Sequence, residues 1–216
     1  MSTEMNSTDY SALYRQERIR FLQSQINNHF LYTTLESMRG MMAMGKTDAV
    51  RSSLTQMATI YRYCSETAIQ VPLSDEIRIT ELYHHLVSTM NPNEIALDIQ
   101  IPEAVQTRMV PRMLIQPLVE NALLHGFLHS GIREGTILVH AEEMNDQLYL
   151  KIENDGEGVD AETIMQLNTR RENTGRQIGF ANVAERISLL YPRTGSAEIL
   201  SDGLRGARVH VVFGTL

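Results

Sequence analysis

The spacing of apolar residues changes character along this chain, and the change limits what the chain can fold into. Up to residue 90 they recur three and four positions apart; from Ile95 onward alternating stretches are interleaved with further helical ones. The first spacing belongs to amphipathic helices and the second to half-buried strands. At about 100° per residue, Leu31, Leu35, Met38 and Met42 form one stripe, and Ile19, Ile26, Phe30 and Met41 a second. His29 lies outside both, on a more polar edge with Arg18, Gln25, Thr33 and Glu36. A helix with two apolar stripes and a wet third edge suits a bundle. Gly45 fits a helix stop and Asp48 the N-cap of a second helix. Val50, Leu54, Met57, Tyr61 and Cys64 then form a seam for packing against another helix. The short MAMGKTD connection predicts an antiparallel hairpin. A lone hairpin buries little, so pairing of two copies into a four-helix bundle is its natural completion.

Pro72 and Ser74 open a third helix, with Ile79, Leu82, Tyr83, Leu86 and Met90 on its apolar face, and Asn91-Pro92-Asn93 breaks it. Ile95, Leu97, Ile99 and Ile101 predict a strand. Pro111 suits the first turn of a helix running to about His125. TILVHAEE and QLYLKIE flank MND as a strand hairpin. A polar stretch, 155–178, reads as a long loop, followed by a helix from about Gly179 to Leu190. SAEILSD and ARVHVVF around GLRG form a last hairpin. The whole predicts an α+β chain: a helical hairpin over 1–70, then a mixed sheet layered with helices over 71–216.

Composition excludes some classes. A net charge of −7 without a basic run argues against general nucleic-acid binding. One cysteine, Cys64, permits no intrachain disulfide. No apolar run approaches the ~20 residues needed to cross a bilayer. Met1 to Asp9 is polar and lacks the apolar core of a signal peptide.

Four segments carry chemistry. Glu120-Asn121, in PLVENALLHG, sets a carboxylate beside an amide on a predicted helix. Oxygen ligands of this kind suit Mg²⁺, which takes few protein groups plus phosphates; the alternative is two solvated positions of an amphipathic helix. Asn154-Asp155-Gly156-Glu157-Gly158 has glycines that allow close approach of backbone to a ligand, or form a plain turn. Gly179-Phe180-Ala181-Asn182 opens a helix whose N–H groups suit phosphate, with Arg170, Arg171 and Arg176 upstream. The fourth is His29, whose i±4 neighbours, Gln25 and Thr33, give it no metal-ligand set. His84 and His85 diverge by about 100° on a helix. Gly126 and Gly131 suggest that the helix ends between His125 and His129.

In this order the segments resemble the cytoplasmic kinase core of YesM/LytS-type sensor histidine kinases. The matching boxes are QINNHFLYTTLESM (25–38), IQPLVENALLHG (115–126), NDGEG (154–158) and QIGFAN (177–182), and the resemblance spans roughly residues 15–213. It implies a phosphoacceptor and dimerisation hairpin followed by a GHKL-type (Bergerat) ATP-binding domain, a two-layer sandwich. It implies ATP and Mg²⁺ as ligands, His29 as acceptor of the γ-phosphoryl group, and Gln25 and Thr33 as residues orienting the imidazole. Asn121 would ligate Mg²⁺ with Glu120 beside it. Asn154 would face the adenine amino group. His125, Asp155, Gly156, Gly158, Arg176, Gly179 and Asn182 would complete the pocket. The implied partners are a second copy of the chain and a response-regulator receiver domain, and the implied location is the cytoplasmic side of a membrane-anchored bacterial sensor.

Four residues depart from the family pattern. Asn28 replaces proline, so the acceptor helix should run straighter. Thr33 replaces asparagine. Asn154 replaces aspartate, which should weaken the adenine contact. Gln177 replaces glycine and should crowd the phosphate loop. The rival readings are a non-catalytic dimeric module of the same fold and a GHKL ATPase that does not use His29.

Overall fold

The computed structural model describes residues 17–19, 21–22, 28–91, 94–168 and 178–215. Helices α1 (Asn28–Ala43) and α2 (Thr47–Ser65) form the hairpin. Gly45 closes α1 with φ at +75°. Its N–H donates to Met42 O and that of Lys46 to Met41 O, each at 3.0 Å. This double closure needs a left-handed residue, which glycine supplies without steric cost. The cap of α2 lies two residues before the expected Asp48, at Lys46.

Packing of the hairpin differs from the expected seam. The inward face of α2 is Val50, Ser53, Met57, Ile60, Tyr63 and Cys64, and Leu54 is 50% exposed. Val50, Met57 and Cys64 of the expected seam are buried, while small Ser53 and Ile60 take the inner positions beside the expected Leu54 and Tyr61. On α1, Met38 and Met41 are buried while Tyr32, Leu35 and Met42 face outward. Only part of each predicted stripe is therefore used within one chain. Ile26 lies outside the described residues.

Next come β1 (Gln70–Pro72), α3 (Leu73–Met90), β2 (Glu94–Gln100), the short α4 (Glu103–Gln106) and β3 (Met109–Pro111). β1 and β3 pair antiparallel, Val71 opposite Val110. Pro111 thus ends a strand and does not open a helix. The helix opens at Gln116, with Pro117 in its first turn: α5 (Gln116–Leu123), continued by a π-helical turn, Leu124–Leu128. β4 (Glu134–Met144) and β5 (Gln147–Glu157) follow, joined by Asn145 and Asp146, both at positive φ. That is a tight hairpin connection whose twist suits the strands. The expected loop over 155–178 contains the end of β5 and a helix, α6 (Ala161–Asn168). α7 (Ile178–Leu190), β6 (Ser196–Leu200) and β7 (Arg205–Phe213) complete the chain.

The main sheet has the order β2-β4-β5-β7-β6, with β2 parallel to β4 and the other pairs antiparallel. Its inner face buries Ile137, Val139, Leu150, Ile152, Val211 and Phe213 against α5 and α7. Its outer face carries Lys151, Glu153 and Arg208, with Glu153 paired to both cations. This alternation is that of a sheet covered on one side. The fold is thus α+β, helices layered on a mixed sheet, as expected. Among the described residues no helix is long and apolar enough to cross a membrane.

Candidate functional site

A cleft of about 1100 Å³ opens between α5, α7, α6 and the end of β5. Its lining includes Asn121, His125, Gly126 and His129 from α5 and the turn after it, Asn154 and Gly158 from the β5 region, and Phe180 and Ala181 from α7. Four of the predicted site residues therefore meet there: Asn121, His125, Asn154 and Gly158. Gly156 lies just behind, where a Cβ would come within 2.1 Å of the Gly126 carbonyl oxygen. Gly179 sits over Asn121, and a Cβ there would approach Asn121 Nδ2 to 2.7 Å. Each glycine allows two backbone segments to touch at the cleft wall.

The π-helical turn shapes this wall. One extra residue per turn, closed by His129 N–H to Leu124 O at 2.8 Å, carries the helix past Gly126. His125 and His129 then meet edge to face, ring centroids 5.1 Å apart. The sequence had suggested that the helix ended between them. Such single turns recur at functional sites because they re-aim side chains. A bulge in β5 against β7, between Asn154 and Glu157, does the same on the opposite wall.

Two hydrogen bonds orient the Asn154 amide. Its Oδ1 accepts Gly156 N–H at 3.1 Å and its Nδ2 donates to Ala207 O at 3.4 Å. One lone pair and one N–H remain for a ligand. Asn121 is different: its Nδ2 is buried without a hydrogen-bond partner among the described residues. An unmet buried amide costs about 1–3 kcal/mol, and its place in the cleft wall fits a site completed by a polar ligand. A single amide oxygen with room for phosphates fits Mg²⁺, which retains few protein ligands. Among the described residues no cluster of three or more acidic, histidine or cysteine side chains could hold a metal.

Other predicted residues lie elsewhere. Asp155 turns away from the cleft and accepts Thr136 N–H of β4 at 2.8 Å. Asn182 is buried on α7. Thr33 is exposed on α1. His29 stands in the first turn of α1; its side chain, like Gln25, Arg176 and Gln177, lies outside the described residues. Glu120 does not line the cleft. It accepts Gln116 Nε2 at 2.9 Å, and its charge acts on side chains of the helical layer. Burial, with Glu120 close by, raises the hydroxyl pKa of Tyr61 and Tyr83. Burial, with Glu76 and Glu120 nearby, pushes the Cys64 thiol up to about 12. Adjacent residues on α5 thus face two compartments, about 100° apart. The Tyr61 and Tyr83 hydroxyls are buried without hydrogen-bond partners among the described residues, and the Tyr83 ring packs on Phe30, the neighbour of His29, at 5.0 Å.

Sequence reasoning missed the contribution of Arg18, which lines the cleft and grips Glu185 of α7 through two bonds of 2.7 and 3.0 Å. It also missed α6, capped by Asp160, whose carboxylate takes Thr163 N–H at 2.9 Å. The Asp-x-x-Thr spacing was the available signal.

Comparisons with known proteins agree with this arrangement. The model of the family described as "Histidine kinase" matches residues 17–95, and that of "Histidine kinase-, DNA gyrase B-, and HSP90-like ATPase" matches residues 107–215. The chain is 28% identical to Sensor protein LytS of Bacillus anthracis over 209 residues, 94% of this chain and 35% of that protein. It is 26% identical to Sensor histidine kinase YesM of Bacillus subtilis over 199 residues, 91% of this chain and 33% of that protein. The chain therefore spans about a third of the length of these relatives. In fold it is similar to the histidine kinase domain of the Erythrobacter litoralis EL346 blue-light activated histidine kinase, with a TM-score of 0.51 and 18% identity over 93% of this chain and 95% of that one.

Proposed function

This chain belongs to the histidine kinase-, DNA gyrase B- and HSP90-like ATPase family, and from that premise we propose that it is the kinase core of a two-component sensor. It takes the terminal phosphoryl group of ATP onto His29 and passes it to an aspartate of a response-regulator receiver domain. The observation that carries this reading is the division of labour on α5. Asn121 faces the cleft with an unmet amide, while Glu120 faces the helical layer that carries the acceptor helix.

In this reading the cleft holds ATP, with Asn154 toward the base and His125, Gly158 and Gly179 toward sugar and phosphates. Asp155 braces the β5 bulge against β4. Asn121 would ligate Mg²⁺, which supplies charge neutralisation on the phosphoryl oxygens. Glu120 acts on the acceptor side: a carboxylate that accepts one imidazole N–H leaves the other nitrogen as the nucleophile. Gln25 and Thr33 complete the orientation of His29. The outward Tyr32, Leu35, Met42 and Leu54 support pairing of two hairpins into a bundle. The division of the chain near residue 70 and its place on the cytoplasmic side of a membrane-anchored sensor are part of the same proposal.

Glu120→Gln separates the two compartments. The variant should bind ATP within about two-fold of the parent and phosphorylate at least ~100-fold more slowly, the scale of a lost general base or orienting carboxylate. Parallel titration of a fluorescent ATP analogue and single-turnover labelling read the two quantities. A matching loss of nucleotide affinity would return Glu120 to the nucleotide side.

A further inference from the structure

A buried polar knot joins the end of the hairpin to the helix that carries Asn121. Glu76 of α3 is 0% exposed. Its Oε1 accepts Tyr63 Oη–H at 2.5 Å and Met113 N–H at 2.7 Å. Its Oε2 accepts Leu114 N–H at 2.7 Å and Ile115 N–H at 2.9 Å. Those bonds saturate a carboxylate. They also hold the N–H groups of the turn that leads into α5.

The other side of that turn is held by arginines. Arg186 of α7, 2% exposed, donates Nη1 to Arg112 O at 2.7 Å and Nη2 to Met113 O. Arg112, 3% exposed, donates Nη1 to Tyr63 O at 2.6 Å and Nη2 to Glu66 at 2.7 Å, with its guanidinium 4.4 Å from the Tyr63 ring centroid. Met113 is drawn into the left-handed region, φ 60°, which a side-chain-bearing residue adopts only when its surroundings fix it. The turn therefore has its N–H groups held by the Glu76 carboxylate of α3, its carbonyls held by the Arg186 guanidinium of α7, and its first side chain, Arg112, on the end of α2. Apolar packing could fill this volume at comparable stability, so a specific geometry is what the polar arrangement supplies.

Resting on the kinase reading above, we propose that Tyr63, Glu76, Arg112 and Arg186 are positioning residues: a joint that transmits a displacement of the hairpin's end to α5 and α7, and so to Asn121 and Gly179. Tyr63 and Glu66 stand on or just after the last turn of α2. A shift there pulls directly on the turn that sets the start of α5.

The test uses Tyr63→Phe and Arg112→Lys in the full chain. Glu76→Gln is unsuitable alone, because a buried amide against three N–H donors risks misfolding. Tyr63→Phe removes one donor and leaves those three N–H bonds and the ring under Arg112. Amide hydrogen exchange should speed at least ten-fold in residues 113–123 and 178–190 and stay unchanged in β4 and β5. Labelling of His29 should slow at least ten-fold, and affinity for Mg²⁺-ATP should fall as Asn121 and Gly179 loosen. Exchange that speeds only within residues 60–76, or a labelling rate that is unchanged or raised, overturns the joint. If the parent itself takes no label, the kinase reading fails while the exchange pattern still decides the coupling.

Discussion

Asn121→Ala lowers affinity for Mg²⁺-ATP by at least ~100-fold, about 2.7 kcal/mol, and does not lower the thermal midpoint of the free chain. The two halves follow from the two ends of one amide, whose oxygen would ligate Mg²⁺ in the proposed complex. Asn121 Nδ2 is buried beneath Gly179 with no hydrogen-bond partner among the described residues. Its removal relieves an unmet donor worth about 1–3 kcal/mol, which offsets the packing lost with the side chain. A residue that is costly in the free fold and needed by the ligand shows the usual opposition between stability and function. Nucleotide titration and thermal denaturation of the same preparation measure the two effects. Retained affinity with a lowered midpoint would make Asn121 a packing residue.

Gly156→Ala should act on the fold itself. Its Cβ would lie 2.1 Å from Gly126 O, 2.7 Å from Gly126 C and 2.9 Å from Phe127 Cε1. The first two are backbone atoms of the π-helical turn, so the wall of the cleft must move. Overpacking of this kind costs about 1–3 kcal/mol and occasionally more. At about 3 kcal/mol, a chain of this size loses roughly 6–12 °C in thermal midpoint. Displacement of Gly126 also disturbs Asn154, whose Oδ1 would lie 2.7 Å from a Cβ on Gly126, so nucleotide affinity should fall as well. Calorimetry with and without nucleotide separates the losses. An unchanged midpoint would mean that the π turn yields freely.

The elements that sequence gave up readily are those set by local rules. Alternation of Ile95, Leu97 and Ile99 marks β2, Gly45 marks the end of α1, and the turn residues between QLYL and its partner strand mark the β4–β5 hairpin. What it hid depends on distant partners. Ser53 in place of Leu54 on the inner face of α2 follows from the neighbours that α2 meets. Pro111 ends a strand because Val110 pairs with Val71. Glu76 reads as an ordinary acidic residue in the first turn of a helix. Its partners are 13 to 39 residues away in sequence, and no spacing rule brings them together. The candidate site shows the same division. Asn121, Asn154 and Gly158, from boxes far apart in sequence, line one cleft. The direction of Glu120 was not legible, because one residue's rotation on α5 decides which compartment it serves.

Phosphoryl transfer to His29 is tested most directly by incubation of the chain with Mg²⁺ and γ-labelled ATP beside a His29→Gln control. The label should be acid-labile, alkali-stable and absent from the control. No label in a preparation that binds the nucleotide, or equal label in both proteins, would contradict it.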